Sequence, residues 1–63
     1  MTSYEHQRRE ATSWAAATLT AKGCTLHPIE GGAWDVELPN GAWHAAEDWR
    51  ELCAIAREAK AEG

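Results

Sequence analysis

The sequence predicts an α+β fold of order α-β-β-β-α, a three-stranded antiparallel sheet with two helices on one of its faces. Three observations predict it. Near each end of the 63-residue chain, apolar residues recur at three- and four-residue spacing, the period of an amphipathic helix. Between those segments Trp34, Val36 and Leu38 alternate with Asp35 and Glu37, the period of a half-buried strand. Gly31-Gly32 and Asn40-Gly41 supply turn residues on either side of that strand, so it reads as the middle of a meander.

The first helix is expected over about 3–22 of a single domain covering 1–63. Thr2-Ser3-Tyr4-Glu5 has the form of a capping box, with Thr2 as N-cap and Glu5 reaching back. Ala11, Trp14, Ala15, Thr18 and Leu19 make its apolar stripe, and the run from Ala15 to Ala17 adds helix propensity. Lys22 suits the negative end, and Gly23 is a natural residue just past it.

Strands are expected over about 24–29, 33–38 and 42–45. A three-residue loop at Glu30-Gly31-Gly32 places Leu26 opposite Val36, apolar against apolar. A two-residue loop sets Leu26 against Glu37, and a slip of one residue turns every side chain to the wrong face. Pro28 places the first strand at an edge. Asn40-Gly41 is the strongest short-range hairpin signal in the chain. A two-residue turn there pairs Leu38 with Trp43, Glu37 with His44 and Val36 with Ala45. The second helix follows over about 46–60. Glu47 and Asp48 sit at its positive end, Arg57 and Lys60 near its negative end, and Trp49, Leu52, Cys53 and Ala56 form its stripe.

Composition narrows the function classes. The apolar fraction is 44%, but 13 of those residues are Ala and none is Phe. The four Trp are therefore expected to carry much of the packing, since each can bury roughly 150–250 Å². A chain of this size buries only about 60% of the surface its unfolded form exposes, so stability is expected to be marginal. No apolar run approaches the ~20 residues that span a bilayer. Met1-Thr2-Ser3-Tyr4-Glu5 lacks the basic start and apolar stretch of a secretory leader, so a cytoplasmic location is expected. Cys24 and Cys53 lack CxxC spacing and read as buried thiols.

Each candidate chemistry has a plainer alternative. His6, His27, His44, Cys24 and Cys53 are possible metal ligands, but no pair has structural-zinc spacing, and no metal or other cofactor is expected. Glu37 beside His44, with His27 and Asp35 near, has the carboxylate–imidazole chemistry of a general base. On a flat wet sheet face it reads instead as favourable cross-strand pairing, and no enzymatic activity is expected.

Charge is the most informative feature. The net charge is −4, too acidic for an easy phosphate-neutralising patch. No Lys or Arg occurs from Gly23 to Trp49, and that stretch carries −5 while the rest of the chain nets +1. Glu30, Asp35, Glu37, His44, Glu47, Asp48 and Glu51 are thus the candidate partner-binding residues. They form an acidic side suited to a basic partner, where opposed fields steer association. The plainer reading is ordinary solubilising charge.

The element order and length resemble those of double-stranded-RNA-binding domains. That family approaches its second helix through a Lys-rich stretch. Here Ala45-Ala46-Glu47-Asp48-Trp49-Arg50 puts acids in its place. The resemblance is one of topology; the alternative function is a small nucleic-acid-binding domain of that topology, using the chain's own cations Arg8, Arg9, Lys22, Arg50, Arg57 and Lys60. A structural accessory subunit is a third possibility. As a small, lone, acidic domain the chain also resembles, in type, the inhibitors encoded by phages and other mobile elements, of which anti-CRISPR proteins are the best-known group. That likeness implies a non-enzymatic protein in the host cytoplasm, docking on a basic protein or nucleoprotein effector complex, with no direct binding of nucleic acid and no membrane.

Overall fold

The computed structural model describes residues 3–62. Helix α1 spans Ser3–Ala21, and the expected N-cap Thr2 lies outside the described residues. Gly23 ends the helix. With φ of +87° it adopts the left-handed conformation, so that Cys24 N–H reaches Leu19 O at 3.0 Å and Gly23 N–H reaches Thr20 O at 2.9 Å. This is the Schellman arrangement, which satisfies two otherwise unpartnered carbonyls and sets Cys24 beside the last buried turn.

Strands β1 (Thr25–Ile29), β2 (Ala33–Glu37) and β3 (Trp43–Ala46) form an antiparallel sheet of order β1-β2-β3. The first hairpin has the expected register, with Leu26 opposite Val36 and Ile29 opposite Ala33 around the three-residue loop. Gly31 and Gly32 both take positive φ there.

The second hairpin differs from expectation by one residue. Val36 lies opposite His44 and Glu37 opposite Trp43, where the two-residue turn would have given Ala45 and His44. Pro39 is the physical reason. A two-residue turn at Asn40-Gly41 makes Pro39 and Ala42 a hydrogen-bonded pair that needs an N–H on Pro39, and proline has none. The chain instead places Pro39 at the second position of a turn closed by Gly41 N–H to Leu38 O at 2.9 Å. Gly41 takes φ of +91°, and Leu38 N–H then bonds Ala42 O at 2.8 Å. This is the three-residue hairpin with its left-handed glycine bulge.

Helix α2 spans Trp49–Glu62 and starts three residues later than the sequence suggests, because Ala46 still pairs with Trp34 in the sheet. Asp48 is its N-cap. The Asp48 carboxylate accepts from Glu51 N–H at 3.0 Å, and Glu51 Oε1 accepts from Glu47 N–H at 2.7 Å. The pair is close to a reciprocal capping box.

Both helices cover the same face of the sheet, α1 over β1 and α2 over β2 and β3, and they pack on each other. The core comprises Ala15, Leu19, Cys24, Val36, Ala46, Leu52, Cys53 and Ala56. Its largest fully buried side chains are Leu19, Leu52 and Val36, and no Trp is among them. Trp34 and Trp49 are half-buried at its rim, while Trp14 is 39% and Trp43 55% exposed. The expectation of a Trp-dominated core is thereby corrected for Trp14 and Trp43. On α1 the buried row is Ala15 and Leu19, flanked by Ala11. Trp14 stands one residue, about 100°, around the helix from Ala15. Alanines at the contact let the elements approach closely, and the large side chains fully buried there are the aliphatic Leu19, Leu52 and Val36.

Candidate functional site

Side chains in a strand alternate between faces, so the helices cover half the sheet and leave the other half open. Val36, Trp34 and Leu26 point to the helices. His27 and Ile29 of β1, Asp35 and Glu37 of β2, and Trp43 and Ala45 of β3 share the open face. No described element packs on it.

The centre of that face is a three-residue cluster. Glu37 has Trp43 directly opposite on β3. His27 stands opposite Asp35 but turns diagonally, and its Nε2 lies 3.2 Å from Glu37 Oε1. The imidazole then meets the Trp43 indole across β2, with centroids 5.1 Å apart and planes tilted by 35°. His27 and Glu37 keep nearly half their side-chain surface in water. Asp35, one step along β2, has no hydrogen-bonding or ionic partner among the described residues. Ile29, 44% exposed, adds an apolar edge.

The residues anticipated as a partner surface fall in several places. Asp35 and Glu37 lie together on the open face, and Glu30 is exposed in the loop joining β1 to β2. The expected Glu37–His44 neighbour pair does not form. His44 shares the helix-facing side with Val36, and there it lines a notch of about 90 Å³ with Leu38, Ile55, Glu58 and Ala59. Glu47 is exposed beyond the end of β3, while Asp48 and Glu51 are engaged in capping α2. Trp43, absent from the anticipated site, belongs to it. The signal for it is Pro39, whose missing N–H fixes the hairpin that turns Trp43 outward.

A second aromatic cluster marks the start of the helices. Trp49 Nε1–H donates to the Tyr4 hydroxyl at 3.3 Å, with the rings edge to face. The Arg50 guanidinium lies 5.1 Å from the Trp49 ring and 5.8 Å from the Tyr4 ring. Arg50 is thus held against aromatic faces in a cation–π arrangement.

Neither cysteine is placed for surface chemistry. Cys24 and Cys53 are free and buried. Burial pushes the Cys53 thiol pKa up, against a smaller opposing pull from Arg57. Among the described residues no three His, Cys, Asp or Glu side chains gather in a metal-holding arrangement. No helix in them is long and apolar enough to cross a membrane. The distinctive feature is therefore the uncovered sheet face around His27, Glu37 and Trp43, whose strands contain no Lys or Arg. Comparison with protein-family models, with curated proteins and with solved structures finds no match to this chain.

Proposed function

We propose that this protein is a non-enzymatic inhibitor, of the anti-CRISPR kind, that docks its open sheet face on a basic, nucleic-acid-handling surface of a partner protein or nucleoprotein complex. One observation carries the reading. The face left uncovered by the helices presents Asp35 and Glu37 beside an exposed Trp43, and the stretch from Gly23 to Trp49 contains no Lys or Arg. An aromatic anchor within an acidic surround has the composition of a binding surface whose charges steer encounter and whose aromatic group supplies contact area. A basic nucleic-acid-binding surface is the complementary field.

The test is charge reversal. Asp35, Glu37 and Glu47 are changed together to Lys. A partner captured from the native host is identified, and its association with both proteins is followed as salt is raised. The expected result has four parts: the partner handles nucleic acid, it loses nucleic acid when the wild type binds, its association weakens with salt, and the triple variant associates more slowly. Rim charges act mainly on encounter, and screening limits their reach to about 8 Å at physiological ionic strength. Direct micromolar binding of nucleic acid by the wild type, with partner kinetics unchanged in the triple variant, overturns the reading.

A further inference from the structure

We infer that the open face recognises an arginine side chain of the partner, with its guanidinium lying on the Trp43 indole and pairing with the Glu37 carboxylate in the place His27 now occupies. The inference rests on the proposed docking of this face and names the group it takes.

The cluster already has the form of such a site. The His27 imidazole is a planar, nitrogen-bearing ring whose centroid lies 5.1 Å from that of Trp43 while its Nε2 lies 3.2 Å from one oxygen of Glu37. A guanidinium makes the same two contacts with more donors, since five N–H groups in one plane can bridge a carboxylate while the flat face stacks on an indole. The site is half in water, so His27 is held loosely and its displacement costs little. Asp35, without a partner among the described residues, stands one step along β2 to extend the negative field. Ala45 opposite it leaves the approach open.

Charge complementarity selects the occupant. The three strands and the turns that join them offer no Lys or Arg to compete for the cluster, because residues 23–49 contain neither. A second copy set face to face is disfavoured there, since its acids would face these acids. Arginine is preferred to lysine because Trp43 offers a flat ring face, and a compact, strongly hydrated ammonium matches neither that face nor the carboxylate in two-point fashion. The chain itself makes the same kind of contact at Arg50, whose guanidinium sits on Trp49 and Tyr4.

Octa-arginine and octa-lysine are the probes, equal in charge and different in the shape of the cation. Binding is measured by Trp fluorescence and by side-chain NMR of His27 and Trp43. Octa-arginine is expected to bind roughly twofold to fivefold tighter than octa-lysine, the span of one exposed cation–π contact. Its addition is expected to move the His27 ring signals away from their Trp43-shifted positions. Trp43→Ala is expected to abolish the preference while leaving a common electrostatic affinity, and Glu37→Gln to weaken both peptides. The wild-type comparison and the His27 signals need no variant to fold. Equal affinities for the two peptides, unmoved His27 signals, or no binding of either peptide each overturn the arginine inference. Equal affinities or unmoved His27 signals leave the docking reading untouched, while absence of binding counts against both; the charge-reversal kinetics judge that reading separately. Arginine-selective binding alongside unchanged partner kinetics in the triple variant leaves this inference standing and removes that reading.

Discussion

The Cys53 thiol donates to the carbonyl oxygen of Ala11 at 3.4 Å, a hydrogen bond between the two helices inside their contact. Burial pushes the thiol pKa up, and ionisation there would leave a thiolate among apolar groups beside a carbonyl. The folded pKa lies above the unfolded one. This contribution to stability is therefore fully present below the ordinary thiol pKa of about 8.5 and is lost as pH rises through the folded value. The melting temperature of the wild type is expected to fall on the alkaline side more steeply than that of Cys53→Ala. Parallel alkaline slopes in the two proteins would contradict this. Thiol reagents at neutral pH are expected to modify Cys53 only as fast as the protein opens.

The core rests on few large side chains. Leu52 is fully buried between α2 and the sheet, with Val36 and Leu19 the other two of that size. Leu52→Ala is expected to cost about 2–5 kcal/mol, a large part of the stability available to a domain this small. Retention of the native melting transition within a few degrees would mean that the core is not where these residues place it.

Gly23 and Gly31 make a matched pair of positive-φ glycines that differ in surroundings. A Cβ on Gly31 meets nothing within 4 Å, whereas one on Gly23 stands 3.3 Å from Pro39 Cγ. Gly31→Ala is therefore expected to cost only the left-handed backbone penalty, about 1–2 kcal/mol. Gly23→Ala is expected to cost more, because the added methyl presses the α1 terminus against the second hairpin. Denaturant melts of the two variants measure the difference directly, and equal midpoints would remove the contact from the account.

The element order and the first hairpin were legible because β2 alternates strongly. With Trp34, Val36 and Leu38 on one face, only the three-residue loop at the glycines brings Leu26 opposite Val36. The sequence of β3, Trp43-His44-Ala45-Ala46, carries no such alternation, so its turn alone sets the register. Asn40-Gly41 suggests one turn, while Pro39 forbids it by lacking an N–H and decides the outcome. That single step moves Trp43 to the open face and His44 to the helix side. Of the site, Asp35 and Glu37 were visible in the alternation, while the meeting of His27 with Trp43 depends on the register and was not. Asp48 and Glu51 read equally well as surface acids and as a helix cap, and only the strand pairing of Ala46 fixes where the helix begins.

That double reading of Asp48 can be separated by substitution. Asn caps a helix about as well as Asp, and Ala does not. Asp48→Ala is expected to cost about 0.5–2 kcal/mol, and Asp48→Asn only a few tenths, the loss of an exposed charge near the helix dipole. If Asp48 serves only as a cap, Asp48→Asn leaves partner association unchanged. Slower association of Asp48→Asn at full stability would instead add Asp48 to the proposed docking surface.

Trp43 and Trp34 provide the last contrast, since they lie on opposite faces of the same sheet. Trp34 packs half-buried against the core, with Ala46 opposite it on β3, so Trp34→Ala is expected to cost about 3 kcal/mol through lost contact and the cavity left behind. Trp43 is 55% exposed and supports nothing beneath the helices, so Trp43→Ala is expected to change stability by no more than about 0.5 kcal/mol. An indole that the fold does not need, held outward beside Glu37, is free to serve recognition. Chemical denaturation of the two variants tests the placement. Cross-strand NMR contacts between Glu37 and Trp43 test the register behind it. Severe destabilisation by Trp43→Ala, or contacts pairing Glu37 with His44 instead, would return Trp43 to the core and take the open-face site with it.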